Sequence, residues 1–287
     1  MKMTRRDFLL TTSVATISAH APLLRATAAS FNAFDTELAS VEQNPALLVG
    51  AGGSFEAKDL TRRGIAVVAS SNAPKSKTTI SARAARLIIL CEVSSQKHYE
   101  NKLRGAIWPR GNSGVTIAIG YDIGYVQRAR FREDWTDYAS ATDIDNYLPA
   151  CGVRGDSAKQ LLATLPEIDV SWETALIQFE AEVLPRYIWE TENALLNTHL
   201  LTKDSLGALV SLVYNRGASF RIPESRDATG RYKEMREIRR LMRSKDFDAI
   251  PDQIRKMDRL WKDDPNVAGV AKRRHLEAQL FEAGLTS

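Results

Sequence analysis

Leu206, Leu209, Val210 and Val213 recur at helical spacing, and the positions between them are filled by Gly207, Ala208 and Ser211. A helix that is apolar or small on nearly every side has no face to give to water, so it belongs at the centre of a helical body. It closes with Tyr214-Asn215-Arg216-Gly217, where Gly217 suits the left-handed position just past a helix end. The rest of the chain has to surround it. Several amphipathic stripes are available for that. Ala84, Leu87, Ile88 and Cys91 follow Ser81, whose hydroxyl suits an N-cap; Trp172, Leu176, Phe179 and Val183 run up to Pro185, which is expected to end their helix. Met235, Ile238, Leu241 and Met242 make a third stripe, and a terminal helix over 271–280 carries Arg273, Arg274 and Glu277. The expected fold class is α+β and mostly α, with no internal repeat.

Gly114-Val115-Thr116-Ile117-Ala118-Ile119-Gly120-Tyr121-Asp122 breaks the helical pattern. With a period of two, Val115, Ile117, Ile119 and Tyr121 share one face, while Thr116, Ala118, Gly120 and Asp122 share the other. The second face is nearly bare and lets a bulky ligand approach the backbone. The preceding loop, Trp108-Pro109-Arg110-Gly111-Asn112-Ser113, is a natural rim, and Tyr99 and Trp108 are candidates to stack on a flat ligand. Glu92 ends the Ala84–Cys91 stripe, where partial desolvation favours the protonated form that a proton donor needs. A straight strand would hold Thr116 and Asp122 about 20 Å apart. For the two to act together the chain must bend or bulge near Gly120, which a glycine permits.

The first 28 residues read as an export label. Thr4-Arg5-Arg6-Asp7-Phe8-Leu9-Leu10 is a twin-arginine pattern, followed by a weakly apolar segment and a small-residue site at Ala26-Thr27-Ala28. The expected location is therefore periplasmic or secreted, with the translocon of that pathway as a partner during export. The label supplies +3 of the formal net charge of +4, so the high isoelectric point says little about the mature chain. Nothing supports nucleic-acid binding, and the basic run from Arg236 to Arg243 reads as a solvated helix face. No later stretch is apolar enough to span a membrane. Two cysteines, Cys91 and Cys151, permit one disulfide at most, and four scattered histidines show no metal-ligand spacing, so neither a metal nor a cofactor is expected. Residues 29–79, with breakers at 50–54 and 70–77, read as a linker or partly ordered N-terminal extension, with 47–49 and 65–68 as the two apolar pieces available to pair as a small hairpin.

Together, Ser81 to Glu92, the Gly114–Asp122 run, the Leu206–Gly217 helix and the Arg273-Arg274 to Glu277 ending resemble the phage-type lysozymes of glycoside hydrolase family 24, most closely their pesticin-like branch, over roughly residues 80 to 284. The resemblance implies a lysozyme-like catalytic domain over 80–287, with a small β-containing lobe and a larger helical lobe flanking a glycan cleft. It implies a monomeric muramidase that hydrolyses the β-1,4 bond between N-acetylmuramic acid and N-acetylglucosamine in a peptidoglycan strand. Glu92 matches the general acid, Thr116 the strand threonine and Asp122 the carboxylate that the pesticin-like branch places after the strand. The commoner phage enzymes place that Asp before the Thr, and here no Asp lies between Glu92 and Thr116. Tyr99, Trp108, Ala118, Gly120 and Asn215 are the expected substrate-binding positions; Ala118 departs from the family's usual glycine. The chemistry fits two carboxyl groups about 6.5–9.5 Å apart handling one water, with inversion. The alternatives are a lytic transglycosylase, which needs chiefly the Glu, and a peptidoglycan-binding protein without turnover.

Overall fold

The computed structural model describes residues 33–48, 50–52, 73–261, 263 and 268–286. The export label and the 65–68 piece lie outside the described residues. In chain order the α-helices are α1 (Ala33–Gln43), α2 (Ala82–Val93), α3 (Gln96–Lys102), α4 (Arg128–Trp135), α5 (Ala141–Tyr147), α6 (Asp156–Leu162), α7 (Trp172–Gln178), α8 (Leu184–Ala194), α9 (Lys203–Arg216), α10 (Lys233–Ser244), α11 (Ile250–Lys256) and α12 (Ala268–Leu285). Two short strands, β1 (Thr116–Ile117) and β2 (Tyr121–Asp122), pair antiparallel. The chain is α+β and mostly helical, and no helix among the described residues is long and apolar enough to cross a membrane.

α9 is the centre that its composition demands: every residue from Ser205 to Arg216 is buried. Its two faces serve two apolar clusters. Ala208, Leu209, Leu212 and Val213 join the first, with α1, α10, α11 and α12; Leu206, Val210 and Tyr214 join the second, with the strands and helices α4 to α8. α2 divides in the same way, giving Ala84, Leu87 and Cys91 to the first cluster and Ile88, Ile89 and Val93 to the second. Ser81 caps α2 as expected, its hydroxyl accepting from the Ala84 N–H at 3.1 Å. Arg239, Arg240 and Arg243 on α10 face solvent.

One expectation needs correction and two others are sharpened. Pro185 does not end a helix. A five-residue π-helical turn, Phe179–Val183, follows α7, and Pro185 then occupies the first turn of α8, where its missing N–H has no partner to lose. The segment before residue 80 is not all linker: Phe34, Leu38, Val41, Leu48 and Ala51 are fully buried in the first cluster against α12. The stripe was missed because α1 and the 3-10 turn Pro45–Leu48 are short, with Asp, Glu and Asn between the apolar positions. Finally, Gly114–Asp122 is not one strand. It reverses completely at Ala118-Ile119-Gly120. The thiols of Cys91 and Cys151 are both free.

Candidate active site

Glu92 lies in the last turn of α2, two residues before the chain breaks away at Ser94, where φ is +62°. Its side chain is only 4% exposed, and Oε1 accepts a hydrogen bond from Arg273 Nη1 at 2.8 Å. Arg273, fully buried on α12, spends its donors on a ring of acceptors. Nη1 also reaches the Ala51 carbonyl at 3.2 Å, Nη2 reaches the Ser211 carbonyl at 3.0 Å, and Nε reaches Ser211 Oγ at 3.2 Å and Glu277 Oε1 at 3.1 Å. Burial works against the Arg273 charge, but Cys91, Glu92 and Glu277 more than offset it and hold its pKa above the usual arginine value. The guanidinium is thus a fixed positive group with one N–H aimed at Glu92, so the end of the stripe is a buried ion pair and not the simply desolvated carboxyl that the sequence led one to expect.

The hairpin supplies the opposite side. Thr116 pairs with Asp122 and Ile117 with Tyr121, so the two candidate catalytic residues, six apart in sequence, stand directly opposite each other. Opposed residues project from the same face with Cβ atoms about 4.5–5.5 Å apart, which removes the difficulty a straight strand would pose. Ala118 and Gly120 take φ of +50° and +69° to make the reversal. Tyr214 ties the tip to α9 by donating its hydroxyl to the Ile119 carbonyl at 3.3 Å. Burial and the neighbouring Glu92 raise the Tyr214 pKa well above normal, keeping it a neutral donor. A Cβ on Gly120 would lie 3.5 Å from Glu92 Oε2 and 3.4 Å from the Tyr214 hydroxyl. The tip of the hairpin therefore lies next to the Glu92 carboxylate, and a side chain at position 120 would stand in contact with it.

At the base, both candidates engage the backbone of Gly114. Asp122 Oδ1 accepts from the N–H groups of Gly114 at 2.9 Å and Gly124 at 3.0 Å, while Thr116 Oγ1 donates to the Gly114 carbonyl at 3.4 Å. The strand is held on its other edge by reciprocal bonds between Thr116 and Ile107. Tyr121 is fixed from behind, its hydroxyl donating to Asp134 Oδ2 at 2.8 Å, with Arg186 on Asp134 Oδ1 at 2.5 Å. This buried set anchors β2 to α4 and α8.

The expected substrate-binding positions separate. Gly120 faces the site, and Ala118 is a buried turn residue. Tyr99 is fully buried, its ring 5.2 Å from that of Trp172 and its hydroxyl donated to the Val170 carbonyl at 2.9 Å, so it is a packing residue with no face to offer a ligand. Trp108 is partly exposed, but its indole N–H is donated to the Ser113 carbonyl at 3.1 Å and Lys159 lies over the ring at 5.6 Å. Asn215 is buried and donates to the Ala51 carbonyl at 3.4 Å, which places it behind Glu92 with Arg273 rather than at the hairpin. Residue type alone marks no role for Arg273, Tyr214 or Ala51, which only the fold brings to this region. Among the described residues, no group of three or more His, Cys, Asp or Glu side chains is placed to hold a metal ion. No protein-family model matches the chain, and no curated protein is similar enough to count as a relative.

Proposed function

We propose that this protein is a muramidase of lysozyme-like architecture, cleaving the β-1,4 bond between N-acetylmuramic acid and N-acetylglucosamine in peptidoglycan. The observation that carries the reading is the reversal at 118–120, which pairs Thr116 with Asp122 and leaves the tip of the same hairpin against Glu92. Glycoside hydrolysis by inversion needs a carboxylic acid at the leaving oxygen and a second carboxylate about 6.5–9.5 Å away to handle water. Glu92 protonates the leaving oxygen; Thr116 and Asp122 handle the water. In this reading the hairpin cluster and the α9–α12 cluster are the two lobes, with the glycan strand between them.

One feature supports a second mechanism: Asp122 Oδ1 already accepts two backbone hydrogen bonds, as a carboxylate with a structural duty would. A lytic transglycosylase would rely chiefly on Glu92. Incubating the protein with purified cell-wall glycan and analysing fragments by mass spectrometry separates these readings. Hydrolysis gives new reducing ends that disappear in Glu92→Gln, transglycosylation gives an anhydro sugar, and retention on the polymer without any fragment rejects turnover altogether.

A further inference from the structure

We propose that the turn Gly50–Gly52, which lies outside the region resembling lysozymes, is part of the machinery that orients the proton donor. The inference rests on Glu92 being that donor. Ala51 is fully buried, and its carbonyl accepts from both Arg273 Nη1 at 3.2 Å and Asn215 Nδ2 at 3.4 Å. Nη1 carries two hydrogens; one goes to Glu92 and the other to Ala51. Because the guanidinium is planar, fixing one of those directions fixes the other, so the Ala51 carbonyl helps to aim the N–H that Glu92 receives.

The same turn touches Glu92 directly. The backbone of Gly52 lies so close to the end of α2 that an added Cβ would stand 2.4 Å from the Cys91 carbonyl oxygen and 2.9 Å from Glu92 Cα. Arg273 is thus bonded to Ala51 and the end of α2 lies against Gly52, two consecutive residues of the N-terminal segment. The segment is in turn clipped to the helix that carries Arg273: Glu37 on α1 accepts from Lys272 and, at 2.5 Å, from Gln279 Nε2, both on α12. Leu48 anchors the turn, its carbonyl accepting from the Ala51 N–H at 2.9 Å while its side chain is buried in the first cluster. Ala51 and Gly52 are positioning residues, acting through Arg273 and the α2 backbone.

The test uses full-length Gly52→Ala and Leu48→Ala, with Leu241→Ala as a control that removes an equally buried side chain from the same cluster on α10, away from the turn. A misplacement of about 1 Å can cost roughly a hundredfold in rate. Gly52→Ala is expected to lower kcat on cell-wall glycan by at least about tenfold with KM within about twofold, and Leu48→Ala to fall in the same direction by less. The Glu92 carboxyl titration, followed by carbon-13 NMR, is expected to move in both variants. Leu241→Ala should lose stability while keeping kcat and the Glu92 titration. Folded Gly52→Ala with wild-type kcat and an unmoved Glu92 titration overturns the proposal, as does a Leu241→Ala that changes both to the same degree. If Gly52→Ala does not fold, Leu48→Ala carries the comparison alone. Should the wild-type protein cleave nothing, the muramidase reading fails, and the NMR titration still decides whether this turn governs Glu92.

Discussion

Arg273, Arg274 and Glu277 are all fully buried, and Glu277 Oε1 alone accepts from Ser211 Oγ at 2.6 Å and from both arginines. Charges in such surroundings are held by one another, and removing one partner leaves the others uncompensated. Arg273→Met is therefore expected to cost about 3–5 kcal/mol of stability in urea unfolding, a far larger loss than truncation of an exposed arginine such as Arg239. Glu190 presents the opposite situation. Burial raises its pKa to about 8, so the folded protein keeps a proton that the unfolded chain gives up near pH 4.5. Between those values the folded state binds more protons, and stability falls as pH rises through that window. Glu190→Gln is expected to flatten this slope and to gain a few kcal/mol at pH 8, read from unfolding curves at pH 5 and pH 8; equal slopes in both proteins would refute it. The arginine pair and Glu277 were visible in sequence, but the duty of Arg273 was not, because one of its partners, Ala51, lies 222 residues earlier in the chain.

Among the elements, the hairpin depends on close backbone approach more than on side-chain packing. A Cβ on Gly114 would fall 2.4 Å from Gly124 Cα and 2.5 Å from Asp122 Oδ1. Gly114→Ala should therefore open the base of the hairpin, lowering stability by roughly 1–3 kcal/mol and abolishing glycan cleavage, whereas Gly120→Ala should strain a backbone at φ +69° and place a methyl over Glu92 while the base stays closed. Activity assays on folded variants, with thermal unfolding alongside, distinguish the two effects. Val115, Ile117, Ile119 and Tyr121 are buried as the alternation requires, but Thr116 and Ala118 on the face expected to be open are buried as well, and the bend expected near Gly120 is a complete reversal. The period of two continues across the three-residue turn, and alanine at a left-handed position is a choice that residue type does not announce. The end of the Trp172 stripe was misjudged for a related reason: Pro185 forbids an interior position in a continuous α-helix, but a π-turn placed just before it resets the helix so that the proline stands at a beginning.

On the scale of the whole molecule, α2 and α9 are walls common to both apolar clusters, each helix giving one face to each. Neither cluster keeps a complete boundary if the other is lost, so one cooperative transition is expected. Leu241→Ala in the first cluster and Phe131→Ala in the second should each cost roughly 2–5 kcal/mol and lower a single urea midpoint shared by far-UV circular dichroism and tryptophan fluorescence; two separated midpoints would show independent bodies. The helical character and the central place of α9 were legible because they follow from local composition, whereas the contribution of residues 33–52 arises from contacts with α12 at the other end of the chain. The free thiols add a constraint of another kind. Burial pushes Cys91 up to about 12 and Cys151 up to about 11, so both stay as inert protonated sulfhydryls. With no covalent cross-link to be formed, the polypeptide can reach its finished shape in a reducing environment, needing neither oxidase nor isomerase, and dithiothreitol should leave its melting temperature where it was.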